Sequence, residues 1–481
     1  MRMDSPRTPV GTVALVPAKK VPFANAFDRM MDVTAKGRDQ VGAASQKGTN
    51  GMRRILIAVL FLAAGAARLH AGEAEGRLQQ GDYVAVLGDS MPVVYGRAPI
   101  APQLYSNFIE AYLLMCKPAA DLGLTQFGFP GTTSYNYATY LMANDLLRFQ
   151  PTAAAVWFGM AEGGWSPMNP DKAKHYRDGL TAIVRGMKKA NVRLIVLGSP
   201  SCIDGDTCNG GPDRADMYNK TLAAFRDTAR DVAREEGVPF ANIFDLMMDV
   251  AAKGKAKYGK PYTLVGDGNI WSIPRKGHLV MAYAFLKALG CDGDIGTITV
   301  DLAAGKAKAT EDHEVLSTAN GRIEIESSRY PFCFGGGPAR AAALRGVIEF
   351  FPFNDDLNRF RLVVRNIAAQ KATVTWGAAS KEFPAAELEQ GINLAAEFPD
   401  NPFCEPFARV QEQIIQQQKV EAVLINDLMH RLPTYAHYIP DLKEPVERLA
   451  PAIVSKSREA RVASASAVKP VRHIIKIVPM K

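Results

Sequence analysis

Ser90 follows the apolar run Tyr83-Val84-Ala85-Val86-Leu87 and the pair Gly88-Asp89. A short aliphatic run ending in a glycine turn predicts a buried strand. In an open α/β sheet, the carboxyl ends of the strands are where chemistry is placed. A serine delivered there is a candidate nucleophile, and the plainer alternative is the N-cap of the next helix. To act as a nucleophile it needs a base for its proton and a third group to orient that base. It also needs donors aimed at the developing oxyanion, each lowering the barrier by about 3 kcal/mol. Cys116, Cys202, Cys208, Cys291, Cys333 and Cys404 make an even count. Cys202 and Cys208 could close a small disulfide loop over Ile203 to Thr207, with free thiols as the alternative. No pair has metal-ligand spacing, so zinc is not indicated, and no metal or organic cofactor is implied.

The elements that would position Ser90 alternate. Strand-like runs occur at 83–87, 153–158, 194–197 and, more weakly, 239–243. Helical patterns at 103–114, 138–147, 175–190 and 216–236 lie between them, and another follows at 277–289. Such alternation predicts a mostly parallel sheet with helices on both faces. Beyond Leu289 short strands at 295–300, 322–326, 346–351, 360–364 and 373–376 predict a β-rich, sandwich-like module over 291–400. A helical segment is expected over 401–453, and the Lys-, Arg-, Ala- and Ser-rich stretch 454–481 is expected to be a disordered basic tail.

With 481 residues the chain has room for two or three domains, and 47% hydrophobic and 22% charged residues suit a globular protein with a substantial core. The net charge of +8 comes with no basic cluster interleaved with aromatics, which argues against nucleic-acid binding. Met52-Arg53-Arg54, the apolar stretch 55–67 and a small residue at Ala71 have the three parts of a secretory signal. The stretch is short for a membrane span, so a secreted or periplasmic location is expected. Residues 21–33 nearly repeat 238–250, and a single strand-plus-helix copy cannot bury its apolar face alone. Residues 1–51 therefore read as a stray duplicate ahead of a natural start at Met52. The alternative is a copy that docks beside its twin.

Over residues 82–290 the chain resembles the SGNH/GDSL hydrolases, and four places carry the resemblance. Gly88-Asp89-Ser90 matches the first block and Gly128-Phe129-Pro130-Gly131-Thr132-Thr133 the second. Trp157-Phe158-Gly159-Met160-Ala161-Glu162-Gly163 occupies the third. The last runs from Asp267-Gly268 through Pro274 to Gly277-His278. The resemblance implies a three-layer, flavodoxin-like α/β fold and ester hydrolysis. It also implies Ser90 as nucleophile, with the backbone N–H groups of Ser90 and Gly131 in the oxyanion hole.

Two departures follow. Ala161 stands where the family has an asparagine, and alanine has no side-chain donor. Ile270 stands where a histidine should follow Asp267, in a loop longer than the family's usual interval. His278 is then the substitute candidate for the base, with a helix-terminal packing role as its alternative, and His175 has a weaker claim. The expected function is hydrolysis of a small acyl or carbohydrate ester, possible only if these substitutions leave a working site. The alternatives are a degenerate member that binds a carbohydrate or acylated ligand without turnover, or a surface protein whose C-terminal module does the work. Oligomeric state is left open.

Overall fold

The computed structural model describes residues 77–91, 104–265, 273–335 and 343–480. The leader-like stretch 52–71, the repeat copy at 21–33 and Asp267 lie outside these residues. The first layer is built on five strands: β1 (Tyr83–Gly88), β2 (Gly123–Gln126), β3 (Ala153–Trp157), β4 (Leu194–Gly198) and β5 (Phe240–Ala241). They pair in the order β2-β1-β3-β4-β5, all parallel, which is the flavodoxin-like order. Every residue of β3 and β4, and all of β1 after Tyr83, is buried. This is why these runs are continuously apolar rather than alternating: a parallel sheet is covered on both faces.

The covering helices are α1 (Tyr105–Ala111, continued by a π-helical turn to Cys116), α2 (Pro170–Lys189), α3 (Gly211–Glu236), α4 (Ile243–Tyr258) and α5 (Arg275–Ala288). α2 packs on α3, and α1 packs on α5. Their ends follow from local chemistry. The Asn169 side chain accepts the Lys172 N–H at 2.9 Å, Pro170 opens α2, and Lys188 and Lys189 complement its carboxyl end.

Beyond α5 come two further sheets. One has the order β13-β10-β6-β7, from β6 (Asp294–Asp301), β7 (Lys306–Ala309), β10 (Arg359–Arg365) and β13 (Ile392–Asn393). It is mixed, because β10 runs parallel to β6. The other is antiparallel with the order β12-β11-β14-β9-β8. Its strands are β8 (His313–Ala319), β9 (Arg322–Ser327), β11 (Lys371–Trp376), β12 (Ala379–Pro384) and β14 (Val471–Pro479).

Three expectations are corrected here. The stretch 454–481 is not a disordered tail. A helix, α7 (Lys443–Ser466), runs through its first part, and β14 lies between β9 and β11 at the centre of a sheet. Val471, His473, Ile475 and Ile477 point inward while Arg472, Ile474, Lys476 and Val478 point out. Basic composition hid this period of two, because the partner strands lie far back in the chain. The run 346–351 is helical rather than a strand: a turn at Leu344–Val347 leads into a 3-10 turn at Ile348–Phe350. Short apolar runs do not distinguish the two states. Cys202 and Cys208 form no disulfide, and all six cysteines are free thiols. The loop between them is held by polar contacts instead. Asn219 donates to Ile203 O and accepts Ile203 N–H, each at 2.8 Å, and Lys255 bridges Asp204 and Asp206.

The C-terminal helix α6 (Cys404–Ala422) packs against both α1 and α7. The contact is polar and buried. Glu110 of α1 accepts from Gln417 Nε2 at 2.7 Å and Gln418 Nε2 at 2.6 Å. Glu421 accepts from Thr125 of β2 at 2.9 Å and Ser457 of α7 at 2.7 Å. Burial, followed by the other carboxyl, pushes Glu110 up to about 8. Burial likewise raises Glu421 to about 7. The two therefore take up protons in the fold that the open chain would release.

Candidate active site

Ser90 sits half-buried just past the carboxyl end of β1. The loop after β2 is stitched to β1 by Phe127 N–H to Val86 O at 2.6 Å and Phe129 N–H to Gly88 O at 3.0 Å. These bonds bring the second block alongside the first. Asp89 is buried, and its Oδ1 accepts the Met91 N–H at 3.2 Å. Its carboxyl is also bonded by the backbone N–H groups of Ser90 and Ala161. Burial, and then the Glu162 carboxylate, pushes Asp89 up to about 7. Asp89 is thus the internal fastener of the serine loop, joining the first block to the third.

Glu162 fastens the third block to the second. Its Oε1 accepts the Ser134 N–H at 2.6 Å and its Oε2 the Gly159 N–H at 2.8 Å. Burial is the chief cause raising its carboxyl above the usual range. In the sequence Glu162 is marked only as a residue of the third block. Its long side chain spans two loops, and nothing in the local pattern signals that. Gly159 makes the turn possible: its φ is 123°, and a Cβ there would come within 2.9 Å of Pro200 Cβ. Tyr176 Oη donates to Phe158 O at 3.1 Å and Tyr218 Oη to Met160 O at 2.6 Å, which fixes the third block from beneath.

Gly131 lies exposed in the second block, with φ 74° and open space where a Cβ would be. Ala161 donates through its backbone to Asp89 and has no side-chain donor to add. A cleft of about 390 Å³ opens beside these loops, lined by Thr133, Tyr135, Asn136, Glu162, Lys172 and His175 among others. His175 is exposed on its rim, edge-on to Tyr135 at 5.1 Å.

His278 has a different setting. It is buried in the first turn of α5, and its Nδ1 accepts the Tyr105 N–H, the first of α1, at 3.3 Å. Its ring lies stacked near Tyr105 at 6.2 Å. Burial pushes its pKa down to about 3. A neutral ring accepting at Nδ1 carries its proton on Nε2, so its one basic lone pair is already in use. A second buried histidine, His430, was not foreseen. It lies 2.9 Å from Asp145 through Nδ1 and edge-on to Phe129 of the second block at 4.5 Å. Only the return of the C-terminal segment to this sheet brings these residues together.

Residues 86–262 match the model of the GDSL-like lipase/acylhydrolase family. Residues 86–262 are a GDSL-like lipase/acylhydrolase domain. The family is one of ester hydrolases, and the matched span holds Ser90, Gly131 and Ala161 but ends before Asp267 and His278. Among solved structures, this chain is similar to "BT4096 a gut microbial diltiazem-metabolizing enzyme". That likeness has 18% identity and a TM-score of 0.61, over 84% of this chain and 98% of that one, and it shows a shared fold through the C-terminal parts as well. Smaller likenesses are to a GDSL-like lipase from Parabacteroides merdae (18% identity, TM-score 0.37, 45% of this chain and 98% of that one). Another is to Axe2, an acetylxylan esterase from Geobacillus stearothermophilus (16% identity, TM-score 0.35, 44% and 96%). A search of curated proteins finds no match.

Proposed function

We propose that this GDSL-like domain hydrolyses small acyl or carbohydrate esters with Ser90 as nucleophile. The observation that carries this reading is the serine loop itself. Ser90 stands at the carboxyl edge of the parallel sheet, on a turn held by the buried Asp89 carboxyl and faced by the loop that Glu162 ties down. In this reading Ser90 Oγ attacks the ester carbonyl carbon, and the hydroxyl proton passes to a base. The carbonyl oxygen becomes an oxyanion that the N–H groups of Ser90 and Gly131 stabilise. The alcohol leaves with a proton, and water then releases the acyl group from Ser90. With Ala161 supplying no third donor, turnover is about a hundredfold slower than with a complete hole.

The engaged lone pair of His278 favours a role for that ring in positioning α1 rather than as the base for Ser90. A second reading, a pocket that binds an acylated or carbohydrate ligand without turnover, is favoured by that same engaged ring. We also propose that the protein works outside the cytoplasm, on the strength of the signal-like residues 52–71.

Hydrolysis of p-nitrophenyl acetate and labelling by a fluorophosphonate test the first reading. Both are expected for the unmutated protein and lost in Ser90→Ala. Neither hydrolysis nor labelling in the unmutated protein overturns it in favour of binding alone. N-terminal sequencing of exported protein, expected to start just after Ala71, tests the location.

A further inference from the structure

At the amino edge of the parallel sheet lies a cavity of about 640 Å³, opposite the edge that carries Ser90. Tyr83 and Gly123, the first residues of β1 and β2, form its floor, and α7 crosses above it. The six residues of β1 put about 20 Å between this cavity and the serine loop. Three guanidinium groups converge there: Arg148, and Arg458 and Arg461 one turn apart on α7. Arg148 and Arg458 are exposed and make no ion pair or hydrogen bond among the described residues. Arg461 lies over the Tyr83 ring at 4.0 Å, with its Nε buried and unpartnered.

The acids around the cavity do not cancel this charge. Asp82 is taken up by Arg193, by Thr152 Oγ1 at 2.7 Å and by the Gln79 N–H at 2.6 Å. Glu110 accepts from Gln417 and Gln418, and burial favours its protonated form. Glu421, behind Arg461, accepts from Thr125 and Ser457 through Oε1 alone, its Oε2 making no hydrogen bond, and burial favours its protonated form against the pull of the Arg461 charge. Asp121, exposed at the rim, is the remaining carboxylate against three arginines.

We propose that this cavity binds a tetrahedral oxyanion, a phosphate either free or borne as the monoester of a small molecule. Guanidinium forks match phosphate oxygens in pairs, and a lining of several arginines without acid partners suits that charge. The cavity is large enough for an esterified phosphate rather than the bare ion alone. Occupancy would bridge α7 to the start of β1 and β2, clamping the C-terminal helix onto the GDSL-like domain.

The test is calorimetric titration of the full chain at pH 7 with inorganic phosphate and with glycerol phosphate, against sodium chloride at matched ionic strength. Saturable binding is expected, with a rise in Tm of about 3 °C at saturation. Tighter binding of glycerol phosphate identifies an esterified ligand, and equal binding identifies the free ion. Arg148→Gln and Arg458→Gln are both exposed and should leave the anion-free Tm unchanged, yet each should weaken phosphate binding about tenfold. The proposal is overturned if phosphate gives no saturable binding beyond chloride. It is equally overturned if the double variant, folded with the unmutated Tm, binds phosphate with unchanged affinity.

Discussion

Two carboxyls, rather than the serine, hold the candidate active site together. Asp89 and Glu162 accept backbone N–H groups from all three loops around Ser90. Glutamine in place of Glu162 keeps one acceptor oxygen and turns an amide N–H₂ toward a backbone donor. Glu162→Gln should therefore cost about 2 kcal/mol in urea unfolding and lower esterase activity with it. Asp89 has its own pH signature. Its folded value near 7 exceeds that of the open chain, so the stability it adds is fully present below pH ~4 and is lost as pH rises through 7. Asp89→Asn should flatten that decline, as unfolding midpoints taken from pH 4 to 8 will show.

At the scale of elements, β14 matters most for the C-terminal module. It is the central strand of its sheet and carries His473 into a polar chain across the core. Trp376 Nε1 donates to His473 Nδ1 at 3.1 Å, His473 Nε2 meets Ser327 Oγ at 2.9 Å, and Ser327 Oγ meets His313 Nδ1 at 2.8 Å. His313 Nε2 then meets Ile295 O at 2.9 Å. The tryptophan can only donate and the carbonyl can only accept, so every proton in the chain is assigned and both rings are neutral. Burial pushes His473 down to about 3. A ring depressed in the fold but free to charge in the open chain gives stability that is full above pH ~6.5 and falls as pH drops toward 3. Ser327→Ala leaves two ring nitrogens unpartnered and should cost about 1–3 kcal/mol. Ending the chain at residue 469 removes β14, bares the edges of β9 and β11, and should yield aggregated protein on size-exclusion chromatography.

For the molecule as a whole, stability has two opposed pH slopes. His278 and His473 weaken the fold as pH falls below about 6.5, while Glu110 and Glu421 weaken it as pH rises from about 4.5 to 8. Glu421→Gln removes part of the second slope and keeps an acceptor for Thr125 and Ser457. Its unfolding midpoint should exceed that of the unmutated protein at pH 8 and match it near pH 4.5.

The sequence by itself determined the parallel sheet, the order of its elements, and the serine and glycine turns of the first three blocks. Those features depend on local apolar periodicity and on residues a few positions apart. Tertiary structure decided what distant residues do for one another. It turned a basic tail into a central strand by giving it partners. It also set Glu162 between two loops, and it engaged the His278 lone pair with the first N–H of a helix far earlier in the chain. A side chain's chemistry depends on its neighbours in space, and only folding chooses those.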